Sequence, residues 1–241
     1  MADFDFNERN ILQLREDLLK NLFKNIEDAI EKVFDEMTYD FSCEKAENIH
    51  YYNGWKTNKA FYVNKKVILP MYAFEHYSGW GIEKPYYDFH SYKVQGEIND
   101  IETVMNHLDG GRTTSLNLSE QLAQAQKLKN YKNIDTKYFA ITFYKKGTAH
   151  FVFKDDELRK KFNIYAGRKK NWLPPSYGKK PYDAMDDEEK AVIDSFEGKE
   201  AYEETYAKRD FYITDGNVNN NLLMLNAASW RRIQTKKPLQ D

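Results

Sequence analysis

Between Asn7 and Met37 apolar residues recur at steps of three and four: Ile11, Leu12, Leu18, Leu19, Leu22, Phe23, Ile26, Ile30, Val33, Phe34 and Met37. Charged or amide residues largely fill the positions between them. The spacing predicts one long amphipathic helix, opened by an Asp5–Glu8 capping box. Its apolar stripe can pack against its own domain or pair with a copy or a partner in a short coiled coil.

A different period follows. In HYYNGWKTNKAFYVNKKVILPMYAF, Asn53-Gly54 is a turn signal, and β-branched and aromatic residues predict strands ending near Pro70. The stretch Glu75–Gln95 is aromatic and Gly-punctuated without a clear period, so an ordered loop over the core is expected there. Short helices should open near Asn99-Asp100, with a stop at Asp109-Gly110-Gly111, and at Asn117, with Glu120 three residues on. The clearest pattern is KYFAITFYKKGTAHFVFKDDELRKKF. Phe139, Ile141 and Phe143 alternate with Ala140, Thr142 and Tyr144; Lys146-Gly147 turns the chain; Ala149, Phe151 and Phe153 resume the alternation. This predicts a β-hairpin with those positions buried, followed by a helix capped by Asp155-Asp156. MDDEEKAVIDSFEGKEAYEETYAKRDF reads as an acid-started helix broken or kinked at Gly198, and Asn221–Leu225 as a last short strand. The pattern as a whole is α+β: a long N-terminal amphipathic helix plus an antiparallel sheet with packed helices. The expected division is a helix over 1–40 that can stand as an appendage, an α+β domain over 41–228 and a basic mobile tail over 229–241.

Composition narrows the function classes. With 241 residues, 41% hydrophobic and 15% aromatic, the chain can bury a core despite 31% charged residues. The formal net charge of −2 means that any contact with nucleic acid must be made by a local patch. The single cysteine, Cys43, excludes an internal disulfide framework and a Cys-based zinc cluster, and suits a reducing compartment. The start, MADFDFNERN, lacks a basic segment followed by an apolar run, and no stretch has the length of a membrane span, so a soluble cytoplasmic protein with no membrane contact is expected.

The most unusual stretch is RKKNWLPPSYGKKPY, Arg168 to Tyr182. Its paired prolines evoke the Asn-Pro-Pro-Tyr motif of adenine methyltransferases, but Trp172 and Leu173 separate Asn171 from Pro174, and Ser176 separates Pro175 from Tyr177. The asparagine cannot then act with the adjacent carbonyl on an amine. No Gly-rich strand-to-helix turn offers a cofactor site; the lone GxG, Gly79-Trp80-Gly81, has no third glycine. No HExxH, Walker loop or GxSxG elbow occurs, and His50, His76, His90, His107 and His150 lack metal-ligand spacing. The acidic pairs Asp155-Asp156, Asp186-Asp187 and Glu188-Glu189 stand at helix starts, where they act as caps. No cofactor, metal or catalytic residue is therefore expected. Two readings of the stretch remain open. As a surface device, Arg168, Lys169, Lys170, Lys179 and Lys180 would meet phosphates, while Trp172, Tyr177 and Tyr182 stack on unpaired bases and Pro174-Pro175 keeps the loop extended. As a connector, Trp172 and Leu173 would dock into the core with the lysines solvated. Alternation puts His150 on one sheet face with Val152 and Lys154, where His150 and Lys154 form a second candidate phosphate contact or a plain solvated face.

The segments VFKDDELRKKFNIYAGRKKNWLPPSYG, HYYNGWKTNKAFYVNKKVILP, INDIETVMNHLDGG, TAHFVFK and EEKAVIDSFEGKEAYE together resemble the bacterial domain-of-unknown-function family 4942, from about Leu14 to about Asn226. The strand-His-x-x-Phe-Lys, helix, Phe-Asn pattern is the most specific part. The resemblance implies a setting in phages, prophages and other mobile elements, fused behind or encoded near DNA-methyltransferase-like domains. It transfers no catalytic residue.

The expectation is thus an accessory nucleic-acid-associated domain of a phage or mobile element in a DNA-modification or defence setting, with DNA ahead of RNA as ligand. It would use Arg168–Tyr182, the lysines of Lys56–Lys66 and the Arg231–Lys237 tail. One rival is a protein-interaction module that inhibits or recruits a host defence or modification complex, through the acidic surface Asp186–Glu204 or the first helix, which can also form a homodimer. A second rival is a hydrolase or nuclease with an unrecognised site near His150 or His76–His90.

Overall fold

The structure is a computed structural model, described here over residues 8–39, 61–79, 81–111 and 116–213. It has two compact units: residues 24–170, and residues 8–23 with 171–213. The sequence had suggested divisions near 40 and 228; the compact units part after 23 and after 170.

The long helix α1, Glu8–Tyr39, forms as its period demands. In residues 24–39 its stripe is core: Ile30, Val33, Phe34 and Met37 are buried, and Phe34 meets Phe162 edge to face at 5.4 Å. Asp5 of the expected capping box, the Asn53-Gly54 turn and the Asn221–Leu225 strand lie outside the described residues.

The central sheet of residues 24–170 is antiparallel in the order β1-β6-β5-β4, with β1 Lys66–Pro70, β4 Ile134–Asp135, β5 Phe139–Tyr144 and β6 Thr148–Phe153. The alternation holds along the hairpin: Phe139, Ile141, Phe143, Ala149, Phe151 and Phe153 are all buried. Phe139 lies 4.7 Å from Phe153 and 5.4 Å from Phe151, ring to ring. Such pairs add about 0.5–1.5 kcal/mol beyond simple burial. Gly147 makes the turn, its N–H donating to the Tyr144 carbonyl. Its φ of 82° and the Tyr72 ring 2.4 Å from where a Cβ would stand both exclude a larger residue.

Residues 75–95 form regular structure in place of the expected loop. β2, Phe74–Tyr77, and β3, Tyr86–Phe89, make a second antiparallel ribbon, and α2 runs from Tyr92 to Leu108, starting seven residues earlier than Asn99 suggested. The ribbon escaped detection because both of its faces carry aromatic residues, which hides a period of two. In α2, Val94, Ile98, Ile101, Met105 and Leu108 supply the buried stripe, which outweighs Gly96 and the false cap at Asn99-Asp100. The stop after Leu108 and the start of α3, Leu118–Leu128, fall where expected.

α4, Asp156–Lys169, is capped by Asp155, whose side chain accepts from the N–H groups of Glu157 and Leu158. Asn163 on this helix is buried and acts as a surrogate strand. Its Oδ1 accepts from Val63 N–H at 2.7 Å, and its Nδ2 donates to the Val63 carbonyl at 3.0 Å. The Phe-Asn pair of the sequence pattern is thereby explained: Phe162 packs on α1 and Asn163 holds the chain entering β1. In the other unit, a full capping box between Asp186 and Glu189 opens α5, Asp187–Phe196; Gly198, at φ 83°, ends it before α6, Lys199–Ala207, and the short α7, Arg209–Tyr212.

Candidate nucleic-acid interface

The feature of residues 24–170 that burial does not account for is a set of exposed rings and lysines around the β5–β6 turn. Tyr72 crosses Gly147 and is 71% exposed; Tyr144, at the end of β5, is 41% exposed and lies 4.3 Å from the His150 ring. The turn itself is Lys145-Lys146. Lys145 Nζ stands 5.1 Å above the Tyr87 ring, which stacks on His76 at 4.7 Å. The ribbon face that carries His76 and Tyr87 continues inward to Phe74 and Phe89, and Phe89 packs on Phe143 at 5.2 Å. The exposed rings are therefore seated on the core by the same two hairpins that form it.

Charge is sorted between the two ribbon faces. Glu75 and Asp88 lie on the face opposite His76 and Tyr87, with polar partners of their own. Glu75 binds Lys93 through one oxygen and the Tyr77 hydroxyl through the other, and His90 Nε2 is 3.4 Å from Glu75 and 3.9 Å from Asp88. The Lys93 ammonium and the Tyr77 hydroxyl hold Glu75 below its usual range, while bonding to Glu75 pushes Tyr77 up to about 12. In this polar network Glu75 already has its cation, Lys93. By contrast, Lys66, Lys145 and Lys146 have no ion-pair partner among the described residues; on the sheet face that carries Lys66, Tyr144 and His150, the strand carboxylate is Asp135 of β4, which Lys154 already binds.

The sequence-expected site residues are differently placed. Lys169 pairs with Glu27 at 2.7 Å and Lys170 with Asp35 at 2.8 Å, so both already have anions on α1; Arg168 is half-buried. Trp172 is half-buried and Leu173 buried. Tyr177 is 1% exposed, which corrects its assignment as a stacking residue: desolvation and the Glu197 carboxylate, which its hydroxyl bonds, raise its pKa far above normal, and no ring face is left for a base. The Tyr202 hydroxyl donates to the Lys180 carbonyl at 2.6 Å and accepts from Gly178 N–H at 3.1 Å, fixing the loop. Lys180 reaches Glu189 at 3.5 Å; Tyr182 donates to Asp194, with Lys199 over its ring at 5.0 Å; Lys179 is exposed. The stretch is thus held by Leu173 and Tyr177, while Lys169, Lys170 and Lys180 are ion-paired where the connector reading had them solvated. Lys154 binds Asp135 at 2.7 Å and the Thr136 carbonyl at 2.9 Å. Partial burial, aided by Lys66, holds His150 down at about 4, so it is a neutral ring at physiological pH and no cation for phosphate. Lys56 and the Arg231–Lys237 tail lie outside the described residues; Lys65 pairs with Asp156 at 2.7 Å.

One buried acid went unremarked in the sequence. Glu102, on α2, is fully buried; its Oε1 accepts from the Thr136 hydroxyl and from Tyr138 N–H, while its Oε2 has no hydrogen-bond partner among the described residues. Desolvation raises its pKa. Among the described residues no cluster of His, Cys, Asp and Glu could hold a metal ion, and no helix is long and apolar enough to cross a membrane.

The fold and this surface define an α+β protein. A family model, Domain of unknown function (DUF4942), matches residues 1–172, and the chain belongs to that family. The match stops near the division between the two compact units, short of the Asn226 that the resemblance had suggested. No curated protein and no solved structure matches the chain.

Proposed function

We propose that this chain is an accessory nucleic-acid-associated domain, serving a phage or other mobile element in a DNA-modification or defence setting without a catalytic site of its own. The observation that supports it is the pair Lys145 and Lys146, with Lys66 farther along the sheet, all without an ion-pair partner among the described residues; at the turn the two lysines stand beside exposed rings and a ribbon whose carboxylates are turned to its other face. Uncompensated ammonium groups next to rings are what a polyanion with π faces selects. The setting comes from the family resemblance alone. The test is binding of a labelled oligonucleotide across salt concentrations. Affinity should fall steeply from about 50 to about 200 mM salt, and alanine at the three lysines should flatten the slope by about 0.7–0.9 per lost phosphate contact. No binding at low salt overturns the reading.

One observation favours a second reading. Ile11, Leu14, Leu18 and Leu22 of α1 recur at steps of three and four yet stay about half exposed or more. A stripe of this kind suits pairing with another helix, from a second copy or a host defence or modification protein. Sedimentation of the parent against L14E/L18E tests the homodimer: a monomeric parent removes it.

A further inference from the structure

We infer that the tip formed by the β5–β6 turn and the β2–β3 ribbon binds an unpaired nucleic-acid strand, with Tyr72 and Tyr144 as stacking platforms and Lys145 and Lys146 as phosphate contacts; this rests on the nucleic-acid reading above and names the form of the ligand. Tyr72 carries the case. Its ring is 71% exposed, has no ring or hydrogen-bond partner among the described residues, and lies on the backbone of Gly147, where a side chain would collide with it. Tyr72 is not isolated: Tyr87 and Tyr144, also exposed, stand around the same turn with Lys145 and Lys146, and a cluster of exposed rings marks an interaction surface where a single one would not. Tyr144 begins the same turn, backed by the neutral His150 ring at 4.3 Å. An open ring face is what a free base needs, whereas in a duplex the base faces are occupied by their neighbours and a protein meets mainly phosphates and groove edges. Lys145 and Lys146 stand in the chain between Tyr144 and Gly147, the residue on which Tyr72 lies, so phosphate and base contacts are offered within one turn.

The choice of nucleic acid over another anionic surface follows from this pairing of rings and charges. A purely electrostatic partner would be served by lysines alone and would be indifferent to Tyr72. The experiment compares a labelled single strand with the duplex of the same sequence, in DNA and in RNA, for the parent, Y72A, Y72F, Y144A and K145A/K146A. The parent should prefer the single strand. Y72A and Y144A should each weaken single-strand binding by about tenfold or more while leaving duplex binding unchanged, and Y72F should match the parent because the ring and not the hydroxyl stacks. K145A/K146A should weaken both forms and flatten the salt dependence. Tyr72 is exposed, so these variants fold; melting curves check it. Equal binding of duplex and single strand, or a Y72A variant that binds single strands like the parent, overturns this inference and leaves the nucleic-acid reading standing. A parent that binds neither form at low salt overturns both.

Discussion

Two segments of this chain share a composition of lysines and tyrosines and differ in almost every physical respect. The stretch Arg168–Tyr182 holds its chemistry inward: Lys169 and Lys170 face acids, Tyr177 is core, and Tyr202 bonds the Gly178 N–H and the Lys180 carbonyl. The turn at Lys145-Lys146 holds the same residue types outward, with Tyr72 uncovered and the lysines unpaired among the described residues. A basic and aromatic composition is therefore no measure of an interface. What decides is whether each cation already has its anion and each ring its neighbour, because only an uncompensated group gains by meeting a ligand.

The sharpest test of the contrast is stability. Y177A should cost about 3–5 kcal/mol by emptying a packed core site, whereas Y72A should stay within about 0.5 kcal/mol, both read from denaturant unfolding followed by fluorescence. Comparable losses would erase the distinction. An intermediate effect comes from His150 behind Tyr144. Its folded pKa, about 4, lies below the ordinary 6.5, so the neutral ring's contribution is complete above about pH 6.5 and is lost as pH falls toward 4. Allowing for its partial exposure, this amounts to about 1–2 kcal/mol, and H150N should remove that part of the pH dependence. The smallest effect is expected from the paired lysines: K169A and K170A should each change stability by at most about 1 kcal/mol and leave oligonucleotide affinity untouched, the reverse of K145A/K146A. Loss of binding in K169A/K170A would return the interface to the first stretch.

Legibility in the sequence followed the same division between pattern and partner. The hairpin Phe139–Phe153, the Asp155 cap, the acidic helix start at Asp186-Asp187 and the interruption at Gly198 were readable because each rests on residues adjacent in sequence. The β2–β3 ribbon was not, since four-residue strands with aromatics on both faces carry no period. The site was the least legible part. Lys169 looks like a free cation until α1 brings Glu27 to it across more than a hundred residues, and Tyr72 looks like one more core tyrosine until it is found lying on Gly147. Neither pairing has a local signal. A glycine in a lysine turn was the one available hint, because it marks where another ring can approach the backbone.

Glu102 has a consequence for how folding would register in a calorimeter. A carboxyl whose burial raises its pKa keeps a proton that the unfolded chain gives up, so between the ordinary carboxylate pKa near 4.5 and its raised folded value the native state binds more protons than the denatured one. Stability falls with rising pH across that window and is insensitive to this group below it. Unfolding there releases a proton to the buffer, and the apparent enthalpy just above pH 4.5 should differ between acetate and MES by the difference in their ionisation heats. E102Q, which presents a neutral side chain of the same shape to Thr136 and Tyr138, should abolish that buffer dependence.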